Sequence, residues 1–140
     1  MDCVFCEIAR GESPASFVYK DEAILAFMDI QPVNRGHVLV VPRTHRLLMH
    51  EYDEVTLHRT WQLVGRLALA LRQSGLPVEG INILVADGEA AFQDVPHFHV
   101  HVIPRNHGDG FGLTFPPNYE DLPPRPELDA VASTLRGILD

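Results

Sequence analysis

Three histidines alternate with single apolar residues in Pro96-His97-Phe98-His99-Val100-His101-Val102-Ile103, and this stretch restricts the fold more than any other in the chain. Strand side chains point to opposite faces with a period of two. An extended backbone therefore puts His97, His99 and His101 on one face and Phe98, Val100 and Val102 on the other. The apolar set anchors the segment in a core, and the imidazoles face a site. At a rise of about 3.3 Å per residue, successive imidazoles start about 6.6 Å apart at the backbone, so two converge on one atom more readily than three. A simple three-histidine metal centre is disfavoured for that reason.

The rest of the chain supplies a sheet around this segment. Residues 3–10 read as a short helix or turn, ended by Gly11-Glu12-Ser13-Pro14. The runs 17–20 and 24–29 are strand-like and separated by Asp21-Glu22, which predicts a hairpin. Residues 37–42 form a third strand, apolar on both faces, as a strand between two layers is. From Asp53 to Ser74 the period becomes helical, with Leu57, Trp61, Val64, Ala68 and Leu71 as the apolar stripe, Asp53 as N-cap and Gly75 as terminator. A fourth strand follows at 81–86, then a loop at 87–92 that leads into the histidine segment. A proline-rich run at 116–126 precedes a C-terminal helix marked by Leu128, Val131, Leu135 and Ile138. The reading is an α+β fold with an antiparallel sheet of about five strands, one long helix and a C-terminal helix. Residues 1–110 form the main domain and 111–140 an extension packed on it.

Composition narrows the function. With 46% hydrophobic and 21% charged residues the chain can bury a real core, and its apolar runs fall short of a membrane span. No secretory signal precedes residue 10, so a cytoplasmic protein without a membrane partner is expected. The formal net charge of −8 argues against binding a nucleic-acid backbone, although a local site can still hold a small phosphate ligand. Cys3 and Cys6 are too few and too close to staple a secreted fold. A metal or redox role suits a Cys-x-x-Cys pair better, with further ligands drawn from elsewhere.

The segment from His97 to Ile103 resembles the signature of the histidine triad family, three histidines alternating with hydrophobic residues. The Cys-x-x-Cys pair, the Phe27-Met28-Asp29-Ile30 strand end, the stretch from Gly36 to Pro42 and Gln93 occur in the same order as in that family. The resemblance implies a histidine triad fold, usually dimeric, that binds nucleotides and hydrolyses or transfers nucleoside monophosphates through a histidine nucleophile. By the same resemblance His99 is the nucleophile, His101 and Gln93 donate to phosphate oxygens, and His37 and His97 belong to the catalytic group. Asp29 grips the ribose, and Phe27 and Ile30 flank the base. It further implies a structural zinc held by Cys3, Cys6, His45 and His97, with no catalytic metal. Each residue alone has an ordinary reading as well, since a single histidine or aspartate at a strand end is more often a plain polar surface group.

The expected ligand is a purine nucleotide or nucleotide conjugate, cleaved at the α-phosphate in a nucleoside phosphoramidate or a dinucleoside polyphosphate, and the expected assembly is a homodimer. Two other readings stay open, a nucleotide-binding adaptor with incidental hydrolysis and a catalytic metal site. The chain also departs from the family pattern. Ala86 replaces an asparagine, Phe92 a small residue before Gln93, and Asp94 a small hydroxylated residue. Phe92 is expected to reshape the leaving-group side and Asp94 to repel phosphate unless it points away. Arg43, Arg46 and Arg105 are the candidate counter-charges.

Overall fold

The computed structural model describes residues 3–140. The elements are α1 (Val4–Ala9), β1 (Phe17–Lys20), β2 (Ile24–Met28), β3 (Val38–Pro42), α2 (Glu54–Gln73), β4 (Gly80–Leu84), β5 (Val100–Arg105) and α3 (Arg125–Leu139), with single 3-10 turns at Met49–Glu51 and Glu89–Ala91. The chain divides after Gly110 into two compact units, the second of which, Phe111–Asp140, contains α3. In the first unit five strands pair in the order β1-β2-β3-β5-β4, each neighbour antiparallel. This is the sheet expected from the sequence.

Register explains how one sheet serves two layers. Ala26, Val40 and Val100 lie in one cross-strand row, and Met28, Val38 and Val102 in another. Ala26, Val38, Val40, Val100 and Val102 enter the core beneath α2 with Phe98, Leu63, Val64, Leu67 and Leu71. The alternate positions Leu25, Phe27, Leu39 and Val41 pack against α1 through Phe5 and Ile8. Both faces are covered, so β3 is buried along its whole length. The row Phe27, Leu39 and His101 belongs to the α1 face, which is how an imidazole of the triad enters an otherwise apolar layer.

Local signals were legible at the ends of elements. Asp21 turns the β1-β2 hairpin by accepting from the N–H groups of Ala23 and Ile24, both at 2.8 Å. Asp53 caps α2 through Thr56 N–H at 2.7 Å, and Gly75 follows the helix in the left-handed region with φ +87°. The phase of α2 differs from expectation. Thr60, Leu63, Val64, Leu67 and Leu71 are its buried residues, whereas Trp61 remains 38% exposed. The period was right, but the larger aliphatic mass at Leu63 and Leu67 turns the stripe away from Trp61 and Ala68. Thr60 is tolerated in this core because its hydroxyl donates to the Thr56 carbonyl at 2.7 Å.

The histidine segment also differs in one respect. β5 begins only at Val100, so His101 lies in the strand while His97 and His99 precede it. His97 N–H turns back to Val95 O at 2.8 Å, and Phe98 N–H donates to Arg46 O at 2.8 Å, which commits this backbone to the loop after β3 before ladder pairing starts. Alternation survives the change. Phe98, 1% exposed, still enters the α2 core and touches Tyr52 with ring centroids 5.4 Å apart. Replacing Phe98 by Ala is expected to destabilise the fold by about 3–5 kcal/mol, as other large core truncations do, measured by chemical denaturation.

Candidate functional site

The buried edge of the site joins three separate parts of the chain. Cys3 caps α1, Cys6 lies one turn on, His45 leaves β3, and His97 approaches β5. Their four ligand atoms all lie within 4.8 Å of one another. Cys3 Sγ is 3.4 Å from His97 Nδ1, Cys6 Sγ is 3.4 Å from His45 Nδ1 and 3.7 Å from His97 Nδ1, and the two imidazole nitrogens are 3.2 Å apart. A tetrahedral zinc with ordinary bond lengths has edges of about 3.5 Å between S and N and about 3.3 Å between two N atoms. The four residues therefore fit that ion. His97 Nε2–H donates to Pro42 O at 2.7 Å, which leaves Nδ1 with its lone pair for a metal, and burial keeps this imidazole below the ordinary histidine pKa. Burial, with Cys3 beside it, raises the Cys6 thiol, so metal binding there must release protons. Tyr52 braces the His45 loop by donating to Thr44 O at 2.7 Å and accepting from Arg46 N–H at 3.1 Å.

The other two histidines of the triad face a different way. His99, 4% exposed, donates from Nδ1 to His97 O at 2.8 Å, so in the neutral imidazole the lone pair is on Nε2. Its ring stands edge-on to Phe5, with centroids 5.0 Å apart, and 4.9 Å from the His101 ring. A chain of hydrogen bonds sets the tautomer of His101. Val33 N–H donates to His37 Nδ1 at 3.1 Å, which puts the His37 proton on Nε2, 2.9 Å from His101 Nδ1. His101 must then accept at Nδ1 and carry its proton on Nε2. Burial lowers the pKa of His37, and burial together with His99 and His37 holds His101 down to about 4. Both are neutral at neutral pH, as this relay requires.

His99 and His101 line a cavity of about 250 Å³ whose walls come from α1 (Val4, Phe5, Ile8) and the β2 end (Phe27, Met28, Asp29, Ile30). That is close to the small end of ligand pockets. Phe27 is buried in the wall, and Ile30, 97% exposed, stands at the rim. Asp29 is oriented by Gln31 N–H at 2.8 Å on Oδ1, and its Oδ2 lies 3.4 Å from His37 Nε2. Phe27, Asp29 and Ile30, residues expected at the ligand, thus all line this cavity. The contribution of Val4, Phe5 and Ile8 was missed; the sequence signal was the apolar residues interleaved with the cysteines, which must face something once the pair is tied down.

Gln93, Phe92 and the three arginines lie outside the cavity lining. The Gln93 amide donates to Leu47 O at 2.9 Å and Val95 O at 3.2 Å and accepts from Gly88 N–H at 2.8 Å, so it closes its own loop and does not line the cavity. Phe92 takes a left-handed φ of 67°, a region that favours glycine, and its side chain is 90% exposed outside the cavity instead of narrowing it. Arg43 donates to Asp21 O and Ala9 O, Arg46 to His45 O, and Arg105 to Asp109 and Asn82. None of the three lines the cavity as a counter-charge. Asp94 does line it, and points inward.

A family model described as HIT domain matches residues 10–108. Protein hit of Bacillus subtilis is 38% identical over 135 residues, covering 96% of this chain and 92% of that protein. An adenosine 5'-monophosphoramidase of Schizosaccharomyces pombe is 35% identical over 117 residues, covering 83% and 84%. Among solved structures, a HIT family protein from Bacillus anthracis superposes with TM-score 0.89 at 34% identity over 99% of this chain and 98% of the other. A zinc-bound histidine triad family protein from Mycobacterium smegmatis gives TM-score 0.75 at 43% identity over 86% and 87%. The alternating histidines, the five-stranded sheet and these matches agree, and the chain belongs to the histidine triad (HIT) family.

Proposed function

We propose that this protein is a nucleotide hydrolase or nucleotidyl transferase that cleaves at the α-phosphate of a nucleoside phosphoramidate or dinucleoside polyphosphate. The observation that carries this reading is the hydrogen bond from His99 Nδ1 to His97 O at 2.8 Å, because it leaves an unprotonated Nε2 on a residue that lines the cavity. In the first step that lone pair attacks phosphorus, the phosphorus–nitrogen bond to His99 forms, and the bond to the leaving group breaks with its electron pair going to that group, which as an amine takes up a proton from solvent as it departs. In the second, water attacks phosphorus, the bond to His99 breaks, and Nε2 recovers its lone pair while the water proton passes to solvent. His101 Nε2–H supports the charge on a non-bridging oxygen in both steps. His37 acts through His101, by holding the proton on the nitrogen that faces substrate.

Asp29 is the ribose contact, since a carboxylate oriented by a backbone N–H can accept from vicinal hydroxyls. Phe27 and Ile30 contribute apolar surface for the base. Cys3, Cys6, His45 and His97 are the residues that would hold a structural zinc, which would tie α1 to the triad. A relative named as an adenosine monophosphoramidase and a neighbour described as zinc-bound support both halves of this reading.

His99→Asn should lower turnover of an adenosine phosphoramidate by about a thousandfold or more. Mass spectrometry of the quenched wild type should find adenylate on His99; a label on another residue would sink the mechanism. His37→Ala removes the donor that fixes the His101 tautomer, and is expected to lower kcat about 10- to 100-fold with little change in KM, read from steady-state kinetics. Purified protein should contain close to one zinc per chain by elemental analysis, and Cys3→Ser with Cys6→Ser should lose it along with several degrees of Tm, a comparison that needs no activity assay.

A further inference from the structure

Asp94 stands beside the nucleophile, and no other residue of the cavity explains its presence. Its Oδ1 lies 3.6 Å from His99 Nε2, the atom that bonds to phosphorus in the function proposed above, on which this inference rests. Val95 N–H donates to the same oxygen at 2.9 Å and holds the carboxylate there, although the side chain is 77% exposed. The surroundings do not neutralise it. Asp29 is a second carboxylate in the cavity wall, and among the described residues lining the cavity none is Lys or Arg. A phosphate arriving at a site of net negative charge must be met by positive charge from elsewhere, or suffer repulsion.

We propose that Asp94 is a specificity-determining residue that selects substrates by the charge of the leaving group, favouring a nucleotide phosphoramidate with a cationic amine over one with a neutral amine, and disfavouring anionic leaving groups such as a nucleoside polyphosphate. A near-attack phosphorus sits about 3–3.5 Å from Nε2. By the triangle rule, it is then no more than about 7 Å from Asp94 Oδ1. The charge of the departing group lies beyond phosphorus on the in-line side, about 10 Å from that oxygen, where in a setting close to bulk water each unit of charge changes the interaction with a carboxylate by about two- to fivefold in an equilibrium or rate constant. The carboxylate attracts an ammonium on the departing group and repels a phosphate chain. The same repulsion favours release of the dianionic nucleoside monophosphate once water has freed it from His99.

The test holds size constant and varies charge. Adenosine phosphoramidates of diaminobutane, pentylamine and aminobutyrate carry departing groups of similar length that are cationic, neutral and anionic. Wild type should rank them in that order by kcat/KM, with a spread of about 5- to 25-fold between the extremes that narrows as salt is raised. Asp94→Asn keeps an oxygen for Val95 N–H and should compress the spread to within about twofold, while Asp94→Lys should reverse the order. Thermal melting and AMP affinity check that each variant is folded, and Asp94→Asn should bind AMP more tightly. Adenylated His99 together with a spread unchanged in Asp94→Asn overturns the role of Asp94 and leaves the mechanism standing. Absence of adenylated His99 from wild type overturns both.

Discussion

His97 is the residue on which the site depends, because each of its polar groups fixes something else. Its Nδ1 belongs to the Cys3, Cys6 and His45 cluster, its Nε2–H is held by Pro42 O at 2.7 Å, and its carbonyl accepts from His99 Nδ1 at 2.8 Å. The cluster of Cys3, Cys6, His45 and His97 and the imidazole of His99 are thus one hydrogen-bonded unit, with the single residue Phe98 between His97 and His99. α1 is drawn into the same unit. Cys3 and Cys6 tie it to His97, and Phe5 between them packs edge-on to His99. A short helix of six residues has little stability of its own, so this attachment is what lets it act as a wall of the cavity.

A second consequence concerns protonation. His37 and His101 are held neutral by burial, so their relay transmits a tautomer, a matter of which nitrogen bears the proton, and no net charge. The charges of the cavity come from Asp29 and Asp94. In the function proposed above, an acidic cavity places the burden of attraction on the donor at His101, on apolar contact with the base, and on whatever positive charge the substrate brings. The net charge of the chain, −8, runs in the same direction.

Gln93 and the arginines illustrate where sequence reading ran out. A glutamine amide has two donors and an acceptor, and nothing in local sequence says whether loop carbonyls or a ligand will satisfy them. Here the loop does, through Leu47, Val95 and Gly88. Arg43 and Arg105 are drawn away by backbone carbonyls and by Asp109 in the same manner. The phase of α2 is a related case, since a period in the sequence leaves the rotation of a helix undetermined by one residue until bulk on both sides is compared.

Sequence alone determined the alternation that sends Phe98, Val100 and Val102 to one side and His99 and His101 to the other, together with the strand count, the α2 cap at Asp53 and, through the family resemblance, the grouping of Cys3, Cys6, His45 and His97. These follow from backbone periodicity and side-chain chemistry, which act over a few residues, and from a signature that the histidine triad family shares. Tertiary structure alone decided that β5 starts after His99, that Val33 sets the tautomer of His101 through His37, that Phe5 borders His99, and that Asp94 points at His99 Nε2 instead of away from it. Each of these depends on where a hydrogen-bond donor or a ring from a distant part of the chain comes to rest, and that is fixed only when both faces of the sheet are packed.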